Sequence, residues 1–177
     1  MFGAKATTPK QLAAIQVLTP AYMLDGYTEL DRAEAFFQHH SSSTSLSVIL
    51  NLSSTRLYAL DPRSTPVLRG SSWAFPYGAA VVAVIPRDEA SMDFTIKKNA
   101  ALRYPFPIEL CVGPYVMRGN MLSPYTDRNQ QSLLFNYRNL VLQAVEIDYP
   151  HAETGLATLQ APLAIVHTSL LHGIVLP

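Results

Sequence analysis

The chain has 177 residues, and 13 Lys plus Arg balance 13 Asp plus Glu, so its formal net charge is zero. Charged residues are 15% of the chain and hydrophobic ones 49%, a balance that excludes a disordered chain and a polycation whose nucleic-acid affinity comes from bulk charge. Thirteen prolines oppose long helices.

Taken in chain order, two short helices are predicted first. One covers Pro9 to Val17; the other covers Leu30 to His40, with Asp31 as its cap and Phe36 and Phe37 packing inward. The polar run Ser41 to Ser45 reads as a loop. Leu46 to Leu52 is an apolar strand, and Arg56 to Leu60 alternates until the turn signal Asp61-Pro62. Trp73, Phe75 and Tyr77 alternate, so they share one face of a strand, and the core is the expected place for it. Ala79 to Ile85 is apolar but only strand length. The segment 87–104 holds four basic and three acidic residues. It reads as a crossover, with Asp93 to Ile96 as a short strand. Leu140 to Ile147 is a strand that ends before Tyr149-Pro150, and Ala164 to His167 and Gly173 to Leu176 are closing strands. The fold class expected is all-β with minor α.

Much of this pattern occurs twice. Thr19 to Thr28 aligns with Val112 to Met121 at an offset of 93, which superposes Tyr22 on Tyr115 and Gly26 on Gly119. The same offset lays Ser47-Val48-Ile49-Leu50 on Leu140-Val141-Leu142-Gln143, and an offset of 91 lays Ala83 to Pro86 on Ile174 to Pro177. The organisation expected is two related units, 12–86 and 105–177, joined by the crossover 87–104. Gly26 and Gly119 lie inside strand patterns, where a glycine marks a strong bend or bulge, and both are assigned as structural bends.

In the second unit the run from Pro107 through Gly119 to Leu122, then Phe135-Asn136-Tyr137-Arg138-Asn139-Leu140, resembles the Sm-like (Lsm) small β-barrel. The matching positions are Gly119, Phe135, Asn136 and Asn139, while the first unit matches at Gly26 and in its apolar strands. The resemblance implies two tandem small β-barrel units that join neighbours edge to edge, and an RNA-binding role; with the basic and aromatic residues nearby, Arg118, Asn136, Tyr137, Arg138 and Asn139 make a patch for contact with RNA or a partner. The sequence departs from the family in three respects, one being that the spacing from Phe135 to Asn139 is one residue short. The stretch between Gly119 and Phe135 is longer, and the closing region reads Val166-His167-Thr168-Ser169 without the expected Arg-Gly, so a basic residue that the family uses to hold RNA is missing.

Signals for catalysis are weak. The sequence contains neither Gly-x-Ser-x-Gly nor His-Glu-x-x-His. Adjacent His39 and His40 make a poor chelate; His151, His167 and His172 fit no standard metal spacing. Glu146 and Asp148 share a strand face that solvation explains. Cys111, the one cysteine, sits in an apolar run as a small hydrophobe. No catalytic residue, cofactor or metal is therefore expected. The first unit has 4 basic and 5 acidic residues and the second 3 and 5, which argues against a basic RNA footprint. The expected activity is binding and self-association, or capture of a protein partner, through the uncharged edge strands Val81 to Ile85 and Gly173 to Leu176. RNA is the alternative partner. With no leader pattern and no membrane-length apolar run, the expected location is the cytoplasm.

Overall fold

The computed structural model describes residues 12–39, 49–60, 72–76, 81–126, 137–151 and 154–175. Ten antiparallel strands dominate. The first five are β1 (Leu12–Leu18), β2 (Tyr22–Glu29), β3 (Ile49–Ala59), β4 (Ser72–Pro76) and β5 (Ala83–Pro86). After the helix α1 (Glu89–Lys98) come β6 (Tyr104–Val112), β7 (Tyr115–Ser123), β8 (Asn139–Tyr149), β9 (Ala157–His167) and β10 (Leu171–Val175). All ten belong to one sheet in the order β10-β6-β7-β8-β9-β5-β1-β2-β3-β4. The first half therefore runs β5-β1-β2-β3-β4 and the second β10-β6-β7-β8-β9, and adding five to each label turns one into the other.

Among the described residues the sheet is continuous and not closed. Among the described residues β5 pairs with β9 of the other half, Ala83 opposite Val166 and Val84 opposite Ile165. Among the described residues pairing ends at β4 on one side and β10 on the other. This corrects the placement of Val81 to Ile85 as a free edge: the strand is central, and the free edge in the first half is β4. Such apolar composition suits a strand with neighbours on both sides.

Each half bends at its glycine, by a shared device. Between Asp25 and Tyr27 the β2–β3 register slips, because Asp25 faces Arg56 while Tyr27 faces Ser53. Between Arg118 and Asn120 the β7–β8 register slips alike, Arg118 facing Glu146 and Asn120 facing Gln143. The extra residue bulges the longer strand, and the left-handed conformation falls on Ser54 (φ 51°) and Ala144 (φ 50°) rather than on the glycines. Gly26 and Gly119 are needed for close approach. A Cβ on Gly119 would stand 2.9 Å from the Gln143 carbonyl oxygen, and one on Gly26 3.2 Å from that of Ser53.

The connection from β7 to β8, three residues shorter at equivalent positions than its counterpart between β2 and β3, resets the repeat, while the bulge is common to both halves and leaves the offset unchanged. The offset of 93 relates β1 to β6 and β2 to β7, but it drops to 90 across β3 and β8, so Leu50 corresponds to Leu140 and not to Gln143. At the closing strands Leu18 pairs with Ala83 and Cys111 with Gly173, again an offset of 90 instead of 91.

Three local expectations fail. Residues 12–17 of the first predicted helix form β1, since Ala13, Ile15 and Val17 alternate into a buried face that a helix would scatter. The second reduces to one 3₁₀ turn, Glu34–Phe36. Asp93 to Ile96 is helical, because Asp88 and Ser91 form a capping box that starts α1. Burial pushes the Asp88 carboxyl up, but amide donors from Ala14 and Ser91 and the Ser91 hydroxyl outweigh it and hold it below its ordinary value. The Ala14 amide donates to Asp88 Oδ2 at 2.7 Å and Ser91 Oγ donates to the Ala14 carbonyl at 2.9 Å, so the cap also docks α1 on β1.

Two main cores result, and neither belongs to one half alone. Leu18, Met23, Val82, Ala83 and Ile85 of the first half pack with Leu110, Met117, Leu140, Leu142 and Val166 of the second. The other core gathers Ile15, Leu24, Phe36, Phe37, Leu50, Leu52 and Phe75, and takes in Ile165.

Candidate functional site

Arg118 lies on the exposed outer face of β7, where its cross-strand neighbours are acidic. Its Nε donates to Glu109 Oε2 at 2.6 Å, and Nη1 donates to Asp148 Oδ2 at 2.6 Å and to Glu146 Oε1 at 3.4 Å. The bonds to Asp148 and Glu109 push its guanidinium further up from an already high value. The Thr158 hydroxyl and then Arg118 hold the Asp148 carboxyl below its usual range. A cation enclosed by three carboxylates offers a phosphate little net attraction.

Asn139 is also committed, but inward. It is fully buried, and its Nδ2 donates to the carbonyls of Ala35 (3.0 Å) and Gln38 (2.6 Å), which ties the start of β8 to the 3₁₀ turn of the other half. Tyr137 is half-buried with its ring 5.3 Å from that of His39, and burial, then Tyr125, pushes its phenol up. Arg138 is exposed, while Asn136 and Phe135 lie outside the described residues, as do Tyr77 and Ser41 to Ser45. The proposed RNA patch is thus split, with Arg118 on an acidic outer face and Asn139 in a junction.

The histidines do not converge. His167 is buried at the end of β9, its ring 5.6 Å from Phe36, and burial pushes it down to about 4. His172 is on the edge strand β10, and His151 follows β8 beside Tyr149. Among the described residues no group of three His, Cys, Asp or Glu could hold a metal ion, and no helix is long and apolar enough to cross a membrane.

The two halves are joined at a junction by more than one kind of contact. Beyond the β5–β9 pairing and Asn139, the buried Tyr115 donates its hydroxyl to the Thr19 carbonyl at 2.8 Å across the halves, and the His167 amide donates to the Val82 carbonyl at 2.9 Å. Lys98 on α1 pairs with Glu34 at 2.8 Å, and Asn99 Nδ2 donates to the Phe37 carbonyl at 2.6 Å. Sequence reasoning missed Tyr115 and His167 in these roles; the Tyr22/Tyr115 match was the available signal for the first.

At the two ends of the sheet, the counterparts of these junction residues are uncovered. Ile85 has no exposed surface, yet its counterpart on β10, Val175, is 55% exposed. Asn139 is fully buried, and its counterpart Ile49 is 43% exposed. Leu18 is buried whereas Cys111 is half-exposed, and Tyr115 is buried whereas Tyr22 is half-exposed. Beside β4, Leu12, Tyr27, Ile49, Asn51, Ser72 and Ala74 line a groove of about 340 Å³. No family model, no curated protein and no solved structure matches the chain.

Proposed function

We propose that the chain is a non-catalytic assembly protein, a tandem pair of Sm-like small β-barrel units that self-associate through the free edges of the sheet. One observation carries this: the two halves, alike in strand order, are already joined by edge-strand pairing between β5 and β9, and among the described residues the same kind of edge is unpaired at β4 and at β10. Open edges present unpaired amides and carbonyls that template a further strand. Low charge with much exposed apolar surface (Tyr27, Ile49 and Val175 among it) fits a surface that another subunit covers. RNA is the less favoured partner, since Arg118 is enclosed by carboxylates and Asn139 holds the other half. The test is solution mass by light scattering on a sizing column, with the 260/280 nm ratio of the same peak. A discrete oligomer without nucleic acid is expected. A monomer overturns the proposal, and a peak carrying nucleic acid shifts it to RNA.

A further inference from the structure

The two free ends of the sheet are chemically unlike, and their likeness is to the two sides of the internal junction. We infer that the groove beside β4 is the docking surface for the β10 end of a second copy, a head-to-tail contact that repeats the β5–β9 junction between chains. This rests on the proposal of edge association and adds to it which end meets which.

The argument is one of matched, uncovered counterparts. At the internal junction, one side offers β5 with Ile85 and Leu18, and the other offers β9 with Val166, Ile165 and Asn139, all buried. The register relations above carry the first side onto β10, with Val175 and Cys111, and the second onto β4, with Phe75, Ala74 and Ile49. Every residue named at the junction is covered, whereas its counterparts at the sheet ends are exposed or half-exposed, Phe75 excepted. Copying Ala83–Val166 and Val84–Ile165 onto the ends sets Gly173 opposite Phe75 and Ile174 opposite Ala74. The half-exposed Tyr22 then stands where Tyr115 stands, facing the neighbour's chain near Val112 as Tyr115 faces Thr19. An isologous contact, β4 on β4 or β10 on β10, would set like surfaces together and use none of these pairs. The groove is more polar than its counterpart: Asn51 and Ser72 replace Val141 and Leu163.

A contact between unlike ends can be split and complemented. Ile49→Glu places a charge in the groove, and Val175→Lys places one on β10, the kind of residue natural edges use to refuse pairing. Both sites are exposed, so the fold should survive, which circular dichroism checks. If Ile49→Glu unfolds the chain, Asn51→Trp fills the same groove and takes its place. Each variant alone should be monomeric, with association weakened by about tenfold or more. An equimolar mixture should give a 1:1 dimer and nothing larger, because one intact β4 end meets one intact β10 end. A homodimer of either variant, an oligomer of unchanged size, or a mixture that stays monomeric while wild type is oligomeric overturns the head-to-tail assignment alone. Monomeric wild-type protein overturns edge association and this inference together.

Discussion

Substituting Gly119 tests the bend that shapes each half of the sheet. A Cβ there would lie 2.9 Å from the Gln143 carbonyl oxygen and 3.4 Å from both the Ala144 oxygen and Val145 Cα. Carbon–oxygen contacts of this kind ordinarily sit at about 3.3–3.6 Å, so the first is several tenths of an ångström too short. All three atoms are backbone, and β8 is held on its far side by β9, with Gln143 opposite Leu163 and Val145 opposite Ala161. The strand therefore cannot yield cheaply. Overpacking of this sort costs about 1–3 kcal/mol, offset by about 0.4–1 kcal/mol from the narrower unfolded ensemble of alanine. The expected net loss for Gly119→Ala is roughly 1–2 kcal/mol, or about 2–8 °C in Tm for a chain of this size. Gly26→Ala should cost less. Its nearest atoms are 3.2 Å away, and one of them is the free end of Thr55. Thermal and urea melts of both variants measure this directly. If Gly119→Ala melts at or above wild type, or no lower than Gly26→Ala, the close-approach account of the bend is wrong.

Three further outcomes follow from the site. His167 carries a folded-state value near 4 against an ordinary 6.5 because burial opposes its charge. The unfolded chain therefore binds the proton first: the stability this neutral ring contributes is fully present above 6.5 and is lost as pH falls from there to about 4. That loss amounts to roughly 3 kcal/mol. Urea melts at pH 7 and pH 4.5 should show it in wild type and a clearly smaller loss in His167→Phe; equal losses would remove His167 as the cause. Asn139→Leu strands the carbonyls of Ala35 and Gln38, so stability should fall by about 1–3 kcal/mol, and hydrogen exchange should speed selectively over 33–39. Uniform exchange would mean that the turn is held by other contacts. Arg118→Gln should leave binding to single-stranded RNA, measured by filter retention, unchanged while the Asp148 carboxyl moves up toward its ordinary value by NMR titration. Loss of RNA binding on that substitution would restore Arg118 as a phosphate contact.

Much of the fold was readable because its signals are local. Alternating apolar residues marked the strands, and two glycines at equivalent positions marked the bends. The failures also have physical causes. Leu12 to Leu18 reads as a helix on composition, and only the burial of alternate residues under α1 and β5 decides for a strand. Asp88 and Ser91 announce a helix start at a spacing that the basic and acidic residues around them obscured. The offset of 93 holds only through β2 and β7, because the connection from β7 to β8 is three residues shorter at equivalent positions than that from β2 to β3. The site was less legible. Arg118, Tyr137 and Asn139 are polar residues near a glycine bend, which suits a ligand patch in sequence; their cross-strand neighbours decide otherwise, and those depend on register.

Which strands would be free was beyond local reasoning altogether. Val81 to Ile85 and Gly173 to Leu176 are equally short and uncharged, and nothing in either run says that one is paired on both sides. What separates them is β9. Within its own half β9 has β8 on one side only, and its other edge at Ile165 and Val166 takes β5 of the first half. In the first half β4 stands in the place of β9, and among the described residues no strand sits on its outer side. In the second half no strand lies beyond β10 among the described residues. One chain thus contains a completed junction together with the two separate halves of another. A protein whose purpose ended with folding would gain nothing from leaving Val175 and Ile49 exposed where Ile85 and Asn139 are covered. That asymmetry, more than any single residue, makes association the function to test.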